Sequence, residues 1–272
     1  MMTKVDSTKE MPAMLVIGSD YKQFHCMLAT VIKAINRTEF CVIMLVDYGW
    51  KEGNFVELVH FIGDLRKMSK YHLQFYYRKF DFSTTPTWIS LQECATKGGY
   101  SWKVISNIDC LRQWKGIVVL LDTGVELPPT YEKEKEYARI EGIYTPRSHA
   151  LISNWTHPST IDFFRLHIDK YIDKYIDKPN CLSAYVIVNT RNKTIMNEVI
   201  NPYFKCSLTK KCIRPIYSRY SNHRFEQAVL SLLIQRIHIP HAASKLSFKM
   251  PPYRRHRKRN DALEFVKRVL SE

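Results

Sequence analysis

Apolar residues in the first half of the chain alternate between short unbroken runs and stripes of helical spacing. Ala13 to Ile17 is a run of strand length, after which Phe24, Met27, Leu28, Val31, Ile32 and Ile35 recur every three or four positions, with Lys22, Gln23 and Lys33 off the stripe. Cys41 to Val46 is a second run, closed by Asp47. Asn54 then stands where it would cap a helix, with Glu57 three residues on and Phe55, Leu58, Val59, Ile62 and Leu65 on the apolar face. Leu73 to Tyr77 reads as a third strand, and Val104, Ile105, Ile108 and Leu111 mark a third helix. Ile117 to Leu121, bounded by Gly116 and Asp122, reads as a fully buried strand. Such alternation predicts a mostly parallel sheet with helices on both faces.

The second half is less periodic. From Leu127 to Pro158 a Tyr- and Pro-rich stretch predicts loops over the sheet edge. Ile168 to Lys178 repeats Tyr-Ile-Asp-Lys and predicts a solvated amphipathic helix. Ala184 to Val188 reads as a further strand, and Phe225, Ala228, Val229, Leu232 and Leu233 as a closing helix with Asn222 as its N-cap. The expected organisation is a disordered N-terminus (1–11), one α/β domain (12–245), and a basic tail with a short amphipathic helix (246–272).

At 272 residues the chain is long enough to bury a large core without staples. Its longest apolar runs are strand-sized, and Met1 to Glu10 lacks the apolar core of a secretory signal, so the expectation is a cytoplasmic protein. Seven scattered cysteines with no C-x-x-C pair are read most simply as reduced thiols; Cys206 and Cys212 are close enough to form a disulfide or share a metal. The net charge of +15 is uneven: residues 249–272 carry eight Lys or Arg against three acids, which leaves about +10 on the body. A basic body suits an anionic ligand or a nucleic acid, and charge alone does not choose.

The turn after the first strand, Gly18-Ser19-Asp20, has one glycine, so neither a dinucleotide fingerprint nor a P-loop can form there. The strand ends are instead acidic, with Asp20, Asp47 and Asp122 directed to one edge. Carboxylates there can accept from a base N–H or ribose hydroxyls, or ligate a hard divalent cation on a diphosphate. Each is equally an ordinary turn or cap residue in the absence of a ligand. Lys103 falls in the first turn of its helix, where the dipole disfavours a cation unless an anion lies nearby; it is a candidate phosphate ligand.

This order of elements resembles the glycosyltransferases of the GT-A fold over residues 12 to 240. Within that group it is similar to glycosyltransferase-like domains marked by Tyr-x-x-Lys (Tyr100, Lys103), a strand ending in Asp (Asp122), Thr-His-Pro (Thr156, His157, Pro158) and Asn-His-Arg-x-Asp/Glu-Gln, here Asn222 to Gln227. The resemblance implies a single GT-A-like domain, a mixed and mostly parallel sheet flanked by helices. It implies sugar transfer from a nucleoside-diphosphate donor to an acceptor hydroxyl on a glycan or protein. Ser19, Asp20, Asp47, Tyr100, Lys103, Asp122 and Arg224 would contact the donor, and His157, Asn222, His223 and Gln227 the acceptor or donor. Glu226 would be the base that takes the acceptor's proton. Asp122 would take the place of the Asp-x-Asp that holds Mn²⁺ or Mg²⁺, but the third position is Gly124, so that His157 or His223 would have to complete the metal site, or Lys and Arg neutralise the diphosphate instead.

Outside the resemblance, Tyr253 to Arg259 packs five cations into seven residues, ahead of a helix with Leu263, Val266 and Leu270 on one face and Asp261 at its start. The segment reads as a solvated run beside a helix docked on the body, or as a contact for an anionic membrane surface (249–259) that would make the protein peripheral; nucleic acid ranks last. The competing function is a non-catalytic GT-A-like domain that binds an anionic partner through this basic surface.

Overall fold

The structure, a computed structural model, describes residues 12–38, 42–68, 72–91, 98–237 and 259–271. Six strands form the main sheet in the order β3-β2-β1-β4-β8-β5: β1 (Met14–Ser19), β2 (Val42–Asp47), β3 (Gln74–Lys79), β4 (Ile117–Leu121), β5 (Ile143–Tyr144) and β8 (Tyr185–Asn189). The first four are parallel, as the alternation requires, and β8 runs antiparallel to β4 and β5. A second sheet pairs β6 (Arg147–Leu151) with β7 (Pro179–Cys181).

The period-2 pattern of the strands splits the core in two. Leu15, Ile17, Ile43, Leu45, Val119 and Leu121 face the layer of α1 (Phe24–Arg37) and α2 (Glu52–Met68). Met14, Val16, Val42, Val118 and Leu120 face the other layer, with α3 (Ser101–Gln113), α8 (Asn201–Ser207) and α10 (Glu226–Arg236). The remaining helices are α4 (Tyr131–Glu141), α5 (Ile152–Trp155), α6 (Pro158–His167), α7 (Lys193–Ile195, continued by a π-turn into α8), α9 (Lys210–Ile213) and α11 (Arg259–Ser271). In α11, Ala262 and Val266 are buried beside α1, so the end of the chain docks on the body. The cations Arg254 to Lys258 lie outside the described residues.

Some local expectations give way to packing. The stretch 127–158 contains α4, β5, β6 and α5 rather than loops alone. Its helix was hidden because a charged residue lies on the buried face: Glu134 accepts from the hydroxyls of Thr130, Tyr144 and Tyr185. Ile168 to Lys178 forms only a 3₁₀ turn at Ile172–Tyr175, which buries Ile172 and Tyr175 together at the i, i+3 spacing that eclipses in that geometry. Helix α2 begins two residues before Asn54, whose side chain accepts from the Lys51 N–H instead of capping. Cys206 and Cys212 are disulfide-bonded, which corrects the all-reduced reading; Cys26, Cys110 and Cys181 are buried, and Cys41 and Cys94 lie outside the described residues. Among the described residues no helix is long and apolar enough to cross a membrane.

Candidate active site

A cleft of about 1230 Å³ opens at the carboxyl edge of β1 and β4, the edge at which open α/β sheets bind ligands. Parallel pairing of β1 with β4 brings Ser19-Asp20 beside Asp122. Because β8 is antiparallel, its beginning rather than its end reaches this edge, and the Asp122 N–H donates to the Ala184 carbonyl at 2.9 Å. Helices α3 and α10 present their N-termini to the same place, carrying Lys103 and Glu226.

Lys103 is the centre of the cluster. Its Nζ lies 2.7 Å from Asp122 Oδ1 and 3.0 Å from Oδ2, 3.5 Å from Glu226 Oε1 and 3.4 Å from the Ser183 carbonyl. Burial works to lower its pKa, but the two carboxylates outweigh burial and hold the ammonium charged well above the ordinary lysine value. Glu226 is nearly buried and accepts from Ser183 Oγ at 3.0 Å. Burial raises its pKa, with Asp122 adding to that effect and Lys103 opposing it. Tyr100 is pushed up to about 12, first by burial and then by the charge of Glu226.

Arg224 occupies another wall. Its guanidinium carbon lies 3.9 Å from the ring centroid of Trp155 and 3.9 Å from that of Tyr220, a two-sided stack that fixes the plane of the fork. Among the described residues this guanidinium has no carboxylate partner. The backbone is strained nearby: the non-glycine residues with positive φ among those described are Tyr100 (56°), Tyr217 (65°) and Phe225 (45°), each within three residues of a cleft-lining side chain. Such conformations cost about 1–3 kcal/mol each and concentrate at functional sites.

Of the residues expected at the site, Ser19, Asp20, Tyr100, Lys103, Asp122, Arg224, Glu226 and Gln227 line the cleft. Four do not. Asp47 is spent on its own turn, accepting from the Gly49 and Trp50 N–H groups at 2.6 Å and from the Tyr77 hydroxyl at 2.8 Å. His157 caps α6 by accepting from the Ser159 N–H. His223 is fully buried: Nδ1 accepts from the His157 N–H at 3.1 Å and Nε2 donates to the Ile213 carbonyl at 3.0 Å, and burial lowers its pKa to about 4. Asn222 accepts from the Arg219 N–H in a turn, and the N-cap of α10 is Phe225. Sequence reasoning missed Ser183, Trp155 and Tyr220. Trp155 directly precedes the Thr-His-Pro motif, a signal that could have found it; Ser183 carried none.

A divalent ion fits this set poorly. Both oxygens of Asp122 face the Lys103 ammonium, and the two histidines proposed as additional ligands are bonded elsewhere. Gly124, at φ 79°, gives its N–H to Thr30 Oγ1 in a turn. Among the described residues no group of three His, Cys, Asp or Glu side chains is arranged to hold a metal.

No protein-family model matches the chain, and no curated protein matches it. Solved structures do. The bifunctional glycosyltransferase WbbM is similar with a TM-score of 0.51 at 7% identity, over 84% of this chain and 38% of WbbM, so that this chain spans well under half of that protein's length. Core-mannan synthase A from Aspergillus fumigatus, solved in its Mn/GDP form, is similar with a TM-score of 0.52 at 12% identity, over 84% of this chain and 72% of that one. Together with the sheet order and the cleft at its carboxyl edge, these likenesses establish that the chain is built on the GT-A glycosyltransferase fold.

Proposed function

We propose that the protein is a glycosyltransferase that moves a sugar from a nucleoside-diphosphate donor to a hydroxyl of a glycan or protein acceptor. The observation that carries this reading is the convergence of Lys103, Asp122 and Glu226 in the cleft of a GT-A fold. Ser19 and Asp20 stand at the end of β1, where a carboxylate can accept from a nucleobase N–H or ribose hydroxyls. Trp155 and Tyr220 line the cleft as well, holding Arg224 against their rings, and Gln227 supplies an amide.

In the transfer, the acceptor oxygen forms a bond to the anomeric carbon as the bond from that carbon to the diphosphate oxygen breaks. The electron pair leaves with the diphosphate, and the acceptor's proton passes to Glu226. Burial makes Glu226 a stronger base than a solvated carboxylate, and Ser183 orients it. Fixed positive charge beside the departing diphosphate is the largest expected contribution to rate. Core-mannan synthase A is described with Mn and GDP; the Mn²⁺ or Mg²⁺ that the resemblance leads one to expect would meet an Asp122 whose two oxygens already face Lys103.

The test is incubation of purified protein with a panel of nucleoside-diphosphate sugars, with and without Mn²⁺, followed by release of nucleoside diphosphate. Slow donor hydrolysis that disappears in Glu226→Gln supports the reading. Neither binding nor hydrolysis of any donor would leave the non-catalytic GT-A-like domain in its place.

A further inference from the structure

The arrangement around Asp122 differs from what a metal-dependent donor site requires, and the difference has a consistent direction. Where a divalent cation would be expected to bridge a carboxylate and the donor diphosphate, the chain supplies a cation of its own. Lys103 is held against Asp122 at 2.7 Å, its side chain is only 12% exposed, and Glu226 and the Ser183 carbonyl complete its surroundings. It also rises from the first turn of α3, so its charge adds to the positive end of the helix dipole. A free divalent ion on the Asp122 oxygens would have to sit against this ammonium, and position 124, where the Asp-x-Asp pattern has its second carboxylate, is a glycine committed to a turn. Facing the same cleft, Arg224 is locked in plane by two aromatic rings and has no anionic partner among the described residues. A planar, pre-oriented guanidinium without a partner matches a phosphate group bidentately.

We propose that the donor diphosphate is held by Lys103 and Arg224 without a divalent metal, the Lys103 ammonium occupying the place of the ion. This rests on the donor-site reading above and specifies its chemistry: an anion site made of one ammonium and one stacked guanidinium. Asp122 then acts as a positioning residue. It keeps Lys103 charged and extended toward the cleft until the diphosphate arrives, and it competes with that diphosphate for the ammonium.

The experiment measures binding of UDP, GDP, ADP, CDP and dTDP to the full chain by calorimetry, after EDTA treatment and again in Mn²⁺. The expected result is a dissociation constant that agrees within about twofold in the two conditions for the nucleotide that binds, with Lys103→Met and Arg224→Gln each weakening it by about tenfold or more. Lys103→Arg, which keeps the charge, retains metal-free binding and covers the case in which Lys103→Met fails to fold. Asp122→Asn tightens binding, because it frees the ammonium. The opposite pattern, binding that needs Mn²⁺, is lost in Asp122→Asn and persists in Lys103→Met, would overturn the inference while leaving the donor site intact. Absence of binding by all five nucleotides in both conditions would remove the donor-site reading itself, and this inference with it.

Discussion

Lys103 Nζ lies 2.7 Å from Asp122 Oδ1, which joins the first turn of α3 to the end of β4 across the floor of the cleft. Two carboxylates, Asp122 and Glu226, depend on that one ammonium. Replacing it by methionine leaves them facing each other, with Glu226 in a nearly buried position. Asp122 is 38% exposed, so water screens part of the loss. Lys103→Met is expected to cost roughly 1–3 kcal/mol, read as a lower urea midpoint at pH 7.

Glu226→Gln is nearly isosteric and keeps a carbonyl for Ser183 Oγ to bond. Turnover is expected to fall roughly 100- to 10,000-fold with KM little changed, since the role proposed for Glu226 is proton acceptance. In the unaltered protein the rate is expected to rise with pH through the pKa of Glu226, displaced upward from the ordinary carboxylate range by burial. Stability moves the other way. A carboxylate with a raised folded pKa binds more protons folded than unfolded, so the protein loses stability as pH rises from the ordinary range through that displaced value. Glu226→Gln flattens that decline, and urea midpoints across pH 4 to 8 would show it. An unchanged decline would assign it to another group.

Gly18, at the end of β1, lies under the ring of Tyr48. A Cβ there would come 2.4 Å from Cε2 of that ring. The ring cannot easily retreat: it lies 4.4 Å from Trp102 and 5.9 Å from Phe80 between centroids, and its hydroxyl is bonded to Ser106. Gly18→Ala is expected to destabilise by about 1–3 kcal/mol through overpacking, with a lowered Tm. A wild-type Tm would show that the contact relaxes freely.

His223 holds the loop before α10 through a neutral imidazole, accepting at Nδ1 and donating at Nε2. Protonation would convert the acceptor into a donor facing the His157 N–H. Since the folded pKa, about 4, lies below the ordinary value, the unfolded chain binds more protons in between. Stability from this residue is complete above pH ~6.5 and is lost as pH falls toward 4. His223→Gln, which can accept and donate without titrating, should remove that acid limb from a series of urea midpoints between pH 7 and pH 4, at some cost at neutral pH.

The placement of the two histidines away from the cleft and of the two helix starts away from their expected caps shares a cause. Asn-His-Arg-x-Glu-Gln has the composition of a ligand-binding turn, and composition does not say which side chains point into the cleft. Phe225 takes a positive φ, which reverses the chain between His223 and Glu226, so the first is buried and the second reaches the site. In the same way Asp47 ends a strand at the expected edge, yet its own following turn and Tyr77 take up its carboxylate.

The sequence by itself determined the parallel half of the sheet, because buried runs alternating with helical stripes admit few other arrangements, and it placed Asp122 and Lys103 at one edge through the order of α3 and β4. Only the tertiary structure decided what those two do to each other. Their ion pair depends on an antiparallel β8 bringing Ser183 to that edge and on α10 delivering Glu226 from more than a hundred residues away. Local pattern carries strand and helix because those are set by neighbours in sequence. The charge balance of a buried cluster is set by neighbours in space, which is why a lysine that reads from its helix position as a candidate phosphate ligand is found paired with two carboxylates at the centre of the cleft.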